Sequence, residues 1–312
     1  MLLLNACSTF KNGFLGFAPV GDKQEYVQAR NLYNQQDYQQ AVTKLSQYIY
    51  KASNVKRREA RAYRLLGMSY EQLNQLDKAL ETYLEALEFH PKNVPLLTAA
   101  AALYQRTGLT DQSQLLYARA LKENPHNLEA LAGQAENYRT FGFFSQARAY
   151  YDQFFELNPT ASPQYRAKYA STFLNQSNFE QAFIHSTMAL TAAPKQPDYW
   201  LIHAKSAFGL GKWEEALADI NTALSLAPQR TDLQLYKIIG LYQTQYYKQA
   251  HQLARNFVEE NPTSQLGWLM WALNEWKLNQ KNAARTHLRR AENLNPNSFV
   301  GQVAAKLSQT WK

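Results

Sequence analysis

The chain has 312 residues, of which 46% are apolar and 13% aromatic, with only 12 Gly and 11 Pro; this composition excludes a chain disordered throughout and fits an ordered, mostly helical protein. The formal net charge is +8, but charged residues make up only 19% and are scattered, so the basicity is a weak pointer to nucleic acid or an anionic surface. A single cysteine, Cys7, excludes an intramolecular disulfide and a cysteine-built zinc site, and no apolar run approaches the roughly 20 residues needed to cross a bilayer as a helix.

The chain opens on Met1-Leu2-Leu3-Leu4, then Asn5-Ala6-Cys7 and Ser8. Leu4-Asn5-Ala6-Cys7 resembles the lipobox of bacterial lipoproteins, in which a peptidase cuts before a cysteine that then carries the lipid. In that family a serine after the cysteine goes with outer-membrane delivery. Met1 to Leu4 supply neither the charged start nor the apolar stretch of about 7–15 residues of a secretory signal, so the given start is expected to be truncated. Between Ser8 and Asp22 lie Gly13, Gly16, Pro19 and Gly21, a loose composition suited to a tether; residues 1–21 are therefore read as lipobox remnant and tether. The plain alternative is a stray cysteine behind a ragged start. Being the only cysteine favours lipidation, because a secreted chain avoids unpaired thiols, and a lipid with more than one acyl chain on Cys7 would anchor the protein stably.

From residue 91 onward the prolines keep a beat. Pro91, Pro125 and Pro159 stand 34 residues apart, Pro194 follows after 35, and Pro228, Pro262 and Pro296 return to 34, the signature of a repeat architecture. About twelve positions before each proline comes a small residue: Ala79, Ser113, Ala147, Ala182, Ala216, Ala250 and Ala284. Seven further on lie Ala86, Ala120, Phe154, Ala189, Ala223, Phe257 and Ala291. Small residues seven apart share one helix face and admit a close neighbour; Leu at either place is expected to overpack the contact by about 1–3 kcal/mol.

Upstream in each unit a second stripe has the i, i+3, i+4, i+7 spacing of a helix with one buried face: Tyr63, Leu66, Gly67 and Tyr70; Leu97, Ala100, Ala101 and Tyr104; Trp200, His203, Ala204 and Ala207. Between the two helices falls Gly108, Gly142, Ser177 or Gly211, where a left-handed residue can end the first helix. An aromatic or Leu, then Leu-Gly, Tyr, a small residue, an aromatic and a closing Pro, as in the run from Tyr63 to Asn93, resemble the tetratricopeptide repeat family. The resemblance implies an all-α fold, a right-handed α-solenoid of about eight helix-turn-helix repeats. Their bounds are 22–55, 60–93, 94–127, 128–161, 163–196, 197–230, 231–264 and 265–298. Residues 299–312 form a C-terminal capping helix in which Phe299, Val303 and Leu307 cover the last face. Departures are a first unit without its proline, an insertion at Lys56-Arg57-Arg58-Glu59, Lys237 at a normally buried place, and Glu275 where other units are apolar; terminal repeats are often atypical.

One residue off the packing stripe, the first helix of each unit has a second face, which in this family lines a concave groove. Toward the N-terminus it carries Lys23, Arg30, Arg61, Arg64, Arg106 and Arg139, with Glu129 and Glu136 as counter-charges; toward the C-terminus it carries Leu201, Phe208, Leu235, Ile239, Tyr242, Leu269 and Trp276. A contiguous apolar strip on a solvated groove marks a partner site, with Trp276 as its anchor. A shift of one residue in register would instead make these residues inter-repeat packing, and both readings stand at this point. The arginines read as a solvated face and lack the Lys and Asn pairing with which chaperone-binding members of the family grip a terminal carboxylate.

The six histidines, at 90, 126, 185, 203, 251 and 287, show no metal-ligand spacing with a carboxylate or each other and are expected mostly at surfaces or turns. GxSxG, a phosphate-binding Gly-rich loop and HExxH are missing. Neither an enzyme nor a cofactor, metal or small-molecule substrate is therefore expected. RNA binding would need a denser basic groove than one that is half apolar, so no nucleic acid is expected. The resemblance implies a non-catalytic protein–protein scaffold. With Cys7 lipidated, it would be an outer-membrane, periplasm-facing adaptor supporting assembly of a pilus, secretion or cell-wall complex; without it, a cytoplasmic peptide-binding adaptor or regulator.

Overall fold

The computed structural model describes residues 20–50 and 59–311, with side chains for 24–49 and 59–311. Cys7, the tether before Val20, the side chain of Lys23 and residues 56–58 of the insertion lie outside the described residues. The described residues form helices and contain no strand. They divide into two compact units, Met1–Pro159 and Thr160–Lys312.

The first unit holds α1 (Val20–Asn34), α2 (Tyr38–Tyr50), α3 (Ala60–Gln72), α4 (Leu76–Phe89), α5 (Val94–Arg106), α6 (Thr110–Glu123), α7 (Leu128–Thr140) and α8 (Phe144–Leu157). The second holds α9 (Pro163–Asn175), α10 (Phe179–Ala192), α11 (Pro197–Gly209), α12 (Trp213–Leu226), α13 (Thr231–Gln243), α14 (Tyr247–Glu260), α15 (Gln265–Lys277), α16 (Lys281–Leu294) and α17 (Phe299–Thr310). Within each unit every helix packs on the next, and alternate helices α1 and α3, α3 and α5, α5 and α7 also touch, as do α9 and α11, α13 and α15, α15 and α17. This is an α-solenoid built of helix hairpins, closed at its C-terminal end by α17.

The proline beat has a local cause. Asn93, Asn127, Ser264 and Ser298 each stand two residues after a proline, and each side chain accepts the backbone N–H three residues on, capping the next first helix. Proline thus stops one helix and the cap starts the next, each cap contributing about 1 kcal/mol. The one slip in the beat lies between Pro159 and Pro194. Its extra residue falls before Pro163, at the boundary between the two units.

Each hairpin turn is three residues with a left-handed one in the middle: Gly108 at φ 79°, Gly142 at 78° and Gly211 at 73°, with Gln36, Asn74, Ser177, Gln245 and Asn279 in the same region. Around Gly108 the N–H of Leu109 donates to Tyr104 O at 2.9 Å and that of Gly108 to Gln105 O at 3.2 Å, a Schellman closure that satisfies the last carbonyls of α5.

The core follows the two small-residue positions. Ala79, Ala86, Ser113, Ala120, Ala147, Ala182, Ala189, Ala216, Ala223, Ala250, Ala284 and Ala291 are all fully buried. Large residues on one helix face glycines on another: a Cβ on Gly67 would overlap the Tyr83 ring, and one on Gly133 the Tyr117 ring. Where Phe257 replaces the small residue of other units, Gly267 on α15 makes room for it. The cap differs from expectation in one side chain. Phe299 is 81% exposed and covers nothing, whereas Val300, Val303, Ala304, Leu307 and Trp311 pack on the last hairpin; at the first helical position, Phe299 lies off the i, i+3, i+4 stripe that faces α15 and α16.

Candidate binding surface

In the first unit Arg30 is exposed on α1, and the other predicted arginines sit on α3, α5 and α7. Arg61 is exposed, pairs with Glu59 and lies 4.6 Å from the centroid of the Tyr26 ring. Arg106 pairs with Glu71 across from α3, and the other oxygen of Glu71 accepts the Tyr83 hydroxyl at 2.7 Å. Arg139 binds Glu136 through two N–H groups at 3.0 and 3.2 Å, and Glu136 also accepts from Tyr151. Hydrogen bonding to Glu136 raises the Arg139 pKa further. Arg64 is exposed near Tyr33 and Tyr83, and Glu129 accepts the Thr98 hydroxyl at 2.8 Å. Three of the five arginines, Arg61, Arg106 and Arg139, are thus already paired with carboxylates. Such partly exposed pairs contribute about 0–1 kcal/mol each and offer an incoming anion a neutralised surface.

In the second unit the predicted apolar residues separate into two groups. Leu201 and Leu269 are 7% and 5% exposed and belong to the core. Phe208 on α11 and Leu235, Ile239 and Tyr242 on α13 are half-buried. Phe208 lies 6.1 Å from Trp213 and 6.4 Å from Tyr236, and Tyr242 meets Tyr247 edge-on at 5.5 Å. Ammonium groups fringe these rings: Lys205 lies 4.9 Å from Tyr236 and Lys277 5.9 Å from Tyr247, contacts worth about 0.5–1 kcal/mol when exposed. Trp276 is stacked on Trp311 from the end of α17.

The tetratricopeptide repeat family model matches residues 26–94, spanning α1 to α4. These four helices carry tetratricopeptide repeats. Its fold is similar to the crystal structure of a tetratricopeptide repeat protein from Parabacteroides merdae, at 19% identity over 92% of this chain and 98% of that one, with a TM-score of 0.57. It is also similar to a chain of the APC/C hetero-tetramer Cut9–Hcn1, at 13% identity over 88% of this chain and 52% of that chain, TM-score 0.60. PilW, a widely conserved type IV pilus biogenesis factor, matches at 18% identity over 66% of this chain and 96% of its own, TM-score 0.57.

What the periodicity missed in these helix hairpins is the set of polar groups inside them. His203 is 7% exposed; its Nδ1 donates to Asp219 at 2.6 Å and its Nε2 lies 3.1 Å from the Thr187 hydroxyl. Glu275, 3% exposed, accepts from His287 Nδ1 at 2.8 Å and faces His251 Nε2 at 3.7 Å. His185 lies against the rings of Tyr169 and Phe173 at 4.5 and 5.5 Å. Four of the six histidines therefore sit between helices, correcting the surface placement expected from sequence. The departure at Glu275 was the available signal: a carboxylate on a packing stripe needs an internal partner. Among the described residues no group of three His, Cys, Asp or Glu is placed to hold a metal ion.

Proposed function

We propose that the chain is a non-catalytic scaffold that takes an apolar segment of a partner protein along Phe208, Leu235, Ile239 and Tyr242. The carrying observation is that these four side chains follow one another along the first helices of the second unit while remaining half-exposed, as expected of a surface poised to lose more water on binding. We read the scaffold as lipid-anchored through Cys7 at a bacterial outer membrane, facing the periplasm and serving assembly of a pilus, secretion or cell-wall complex. The lipobox-like Leu4-Asn5-Ala6-Cys7 supports the anchor, and likeness to the fold of PilW is compatible with the role.

A pull-down with the intact chain against Ile239→Asp plus Phe208→Ala tests the surface. Partners retained equally by both chains would sink the reading. Membrane fractionation of wild type and Cys7→Ala tests the anchor separately; equal partition to membranes, or wild type entirely in the cytoplasm, would leave the cytoplasmic adaptor instead.

A further inference from the structure

On α15, Trp268 and Trp271 lie on a different helix face from Leu269, Leu273 and Trp276, because each residue turns the helix by about 100°. That other face opens into a cleft of about 450 Å³, lined by Val258, Pro262, Trp268, Trp271, His287 and Arg290, with Glu259 and Thr286 at its edges. Its floor is preorganised. Trp268 donates from Nε1 to Pro262 O at 2.9 Å. His287 stacks on Trp271 with ring centroids 3.7 Å apart, at 17°, and is fixed by its bond to Glu275.

The charges at the mouth are one-sided. Glu259, the acid at the edge, is bound by Arg255 at 2.9 Å. Arg290 is exposed, 6.0 Å from the centroid of the Trp268 ring, and has no carboxylate partner among the described residues. Arg289, next to it in sequence, is likewise exposed. The corresponding cleft one repeat earlier is lined by Leu224, Pro228, Lys237, Leu253, Phe257 and Glu260, with Gln234 and Asn256, and has a phenyl ring but no indole. Lys237, expected at a buried place, is half-exposed there. The indole pair is thus particular to the later of these two clefts.

We propose that this cleft is a second docking site, for an acidic peptide segment that inserts an aromatic or aliphatic side chain between Trp268, Trp271 and Pro262 while its carboxylates meet Arg290 and Arg289. The indoles supply apolar area that excludes water, and the unpaired guanidiniums select the flanking charge.

Selection of the full chain against a random peptide library tests this, with Arg290→Glu and Thr286→Tyr as the discriminating variants. Both positions are exposed on α16, so an unchanged thermal melt shows that each variant is folded. The expected result is enrichment of peptides combining Asp or Glu with an aromatic or aliphatic residue, and at least a tenfold loss of their affinity in each variant. Enriched peptides without acids, or peptides insensitive to both variants, would overturn the site, as would recovery of none. Peptides lost only on Ile239→Asp plus Phe208→Ala would support the strip on α11 and α13 and overturn this cleft. Binding of the wild type to anionic phospholipid vesicles or RNA in place of any acidic peptide, abolished by Arg290→Glu, would also overturn the proposal in favour of that ligand.

Discussion

Trp276 and Trp311 stack face to face, their ring centroids 4.2 Å apart and their planes 8° from parallel. Arg285 holds the stack in place by donating from Nε to Trp311 O at 2.8 Å, and the Lys281 ammonium lies 5.5 Å from the Trp276 centroid. The indole that sequence offers as a free anchor is therefore covered by the chain's own C-terminus.

Trp311→Ala should cost about 3 kcal/mol, since Trp311 is 9% exposed and packs in the last core cluster. Phe299→Ser, on the same helix but 81% exposed, should stay within about 0.5 kcal/mol of wild type. Urea unfolding followed by tryptophan fluorescence measures both. All six tryptophans, at 200, 213, 268, 271, 276 and 311, lie in the second unit, so the signal reports that unit alone. Equal costs for the two variants would refute the assignment of Trp311 as the cap.

Removing one partner of the Glu275–His287 pair should hurt more than removing both. His287→Leu leaves a carboxylate that is 3% exposed facing only His251 at 3.7 Å, and should cost about 3–5 kcal/mol. Adding Glu275→Leu should recover most of this, because other repeats carry apolar residues at that place on the first helix. A double-mutant cycle on urea midpoints decides it; additive losses would show that the pair is not coupled.

Gly67→Ala should destabilise the first unit by about 1–3 kcal/mol, because a Cβ there would overlap the ring of fully buried Tyr83. The double variant Gly67→Ala with Tyr83→Leu should regain part of the loss by vacating the ring's space. Thermal melts followed by circular dichroism supply the comparison, and a single variant as stable as wild type would mean that Tyr83 moves aside freely.

Burial, followed by the hydrogen bond to Glu71, raises the pKa of Tyr83 well above the ordinary tyrosine value. The neutral form is favoured in the folded chain, so its contribution is fully present below about pH 10 and is lost as pH rises beyond that, where the unfolded chain ionises first. Stability of the first unit should fall above about pH 10, and Tyr83→Phe should flatten that fall while costing about 1 kcal/mol at neutral pH. An unchanged alkaline slope in the variant would assign it to other tyrosines.

Sequence by itself determined the local grammar of this protein. Proline spacing, paired small residues and the left-handed turn positions are properties of one helix or one turn, and each is set by steric limits and capping within a few residues of chain. Tertiary structure alone decided which partners meet across helices. Arg106 reaches Glu71 from 35 residues away, Gln105 donates to Asn137 across 32, and Trp276 on α15 finds Trp311 at the end of α17. A helical period places a side chain on a face but does not say which neighbour's rotation brings a counterpart opposite it. For that reason the predicted basic groove became a row of ion pairs, the predicted anchor became part of the cap, and Glu275, an anomaly in the pattern, became intelligible only once His287 stood beside it.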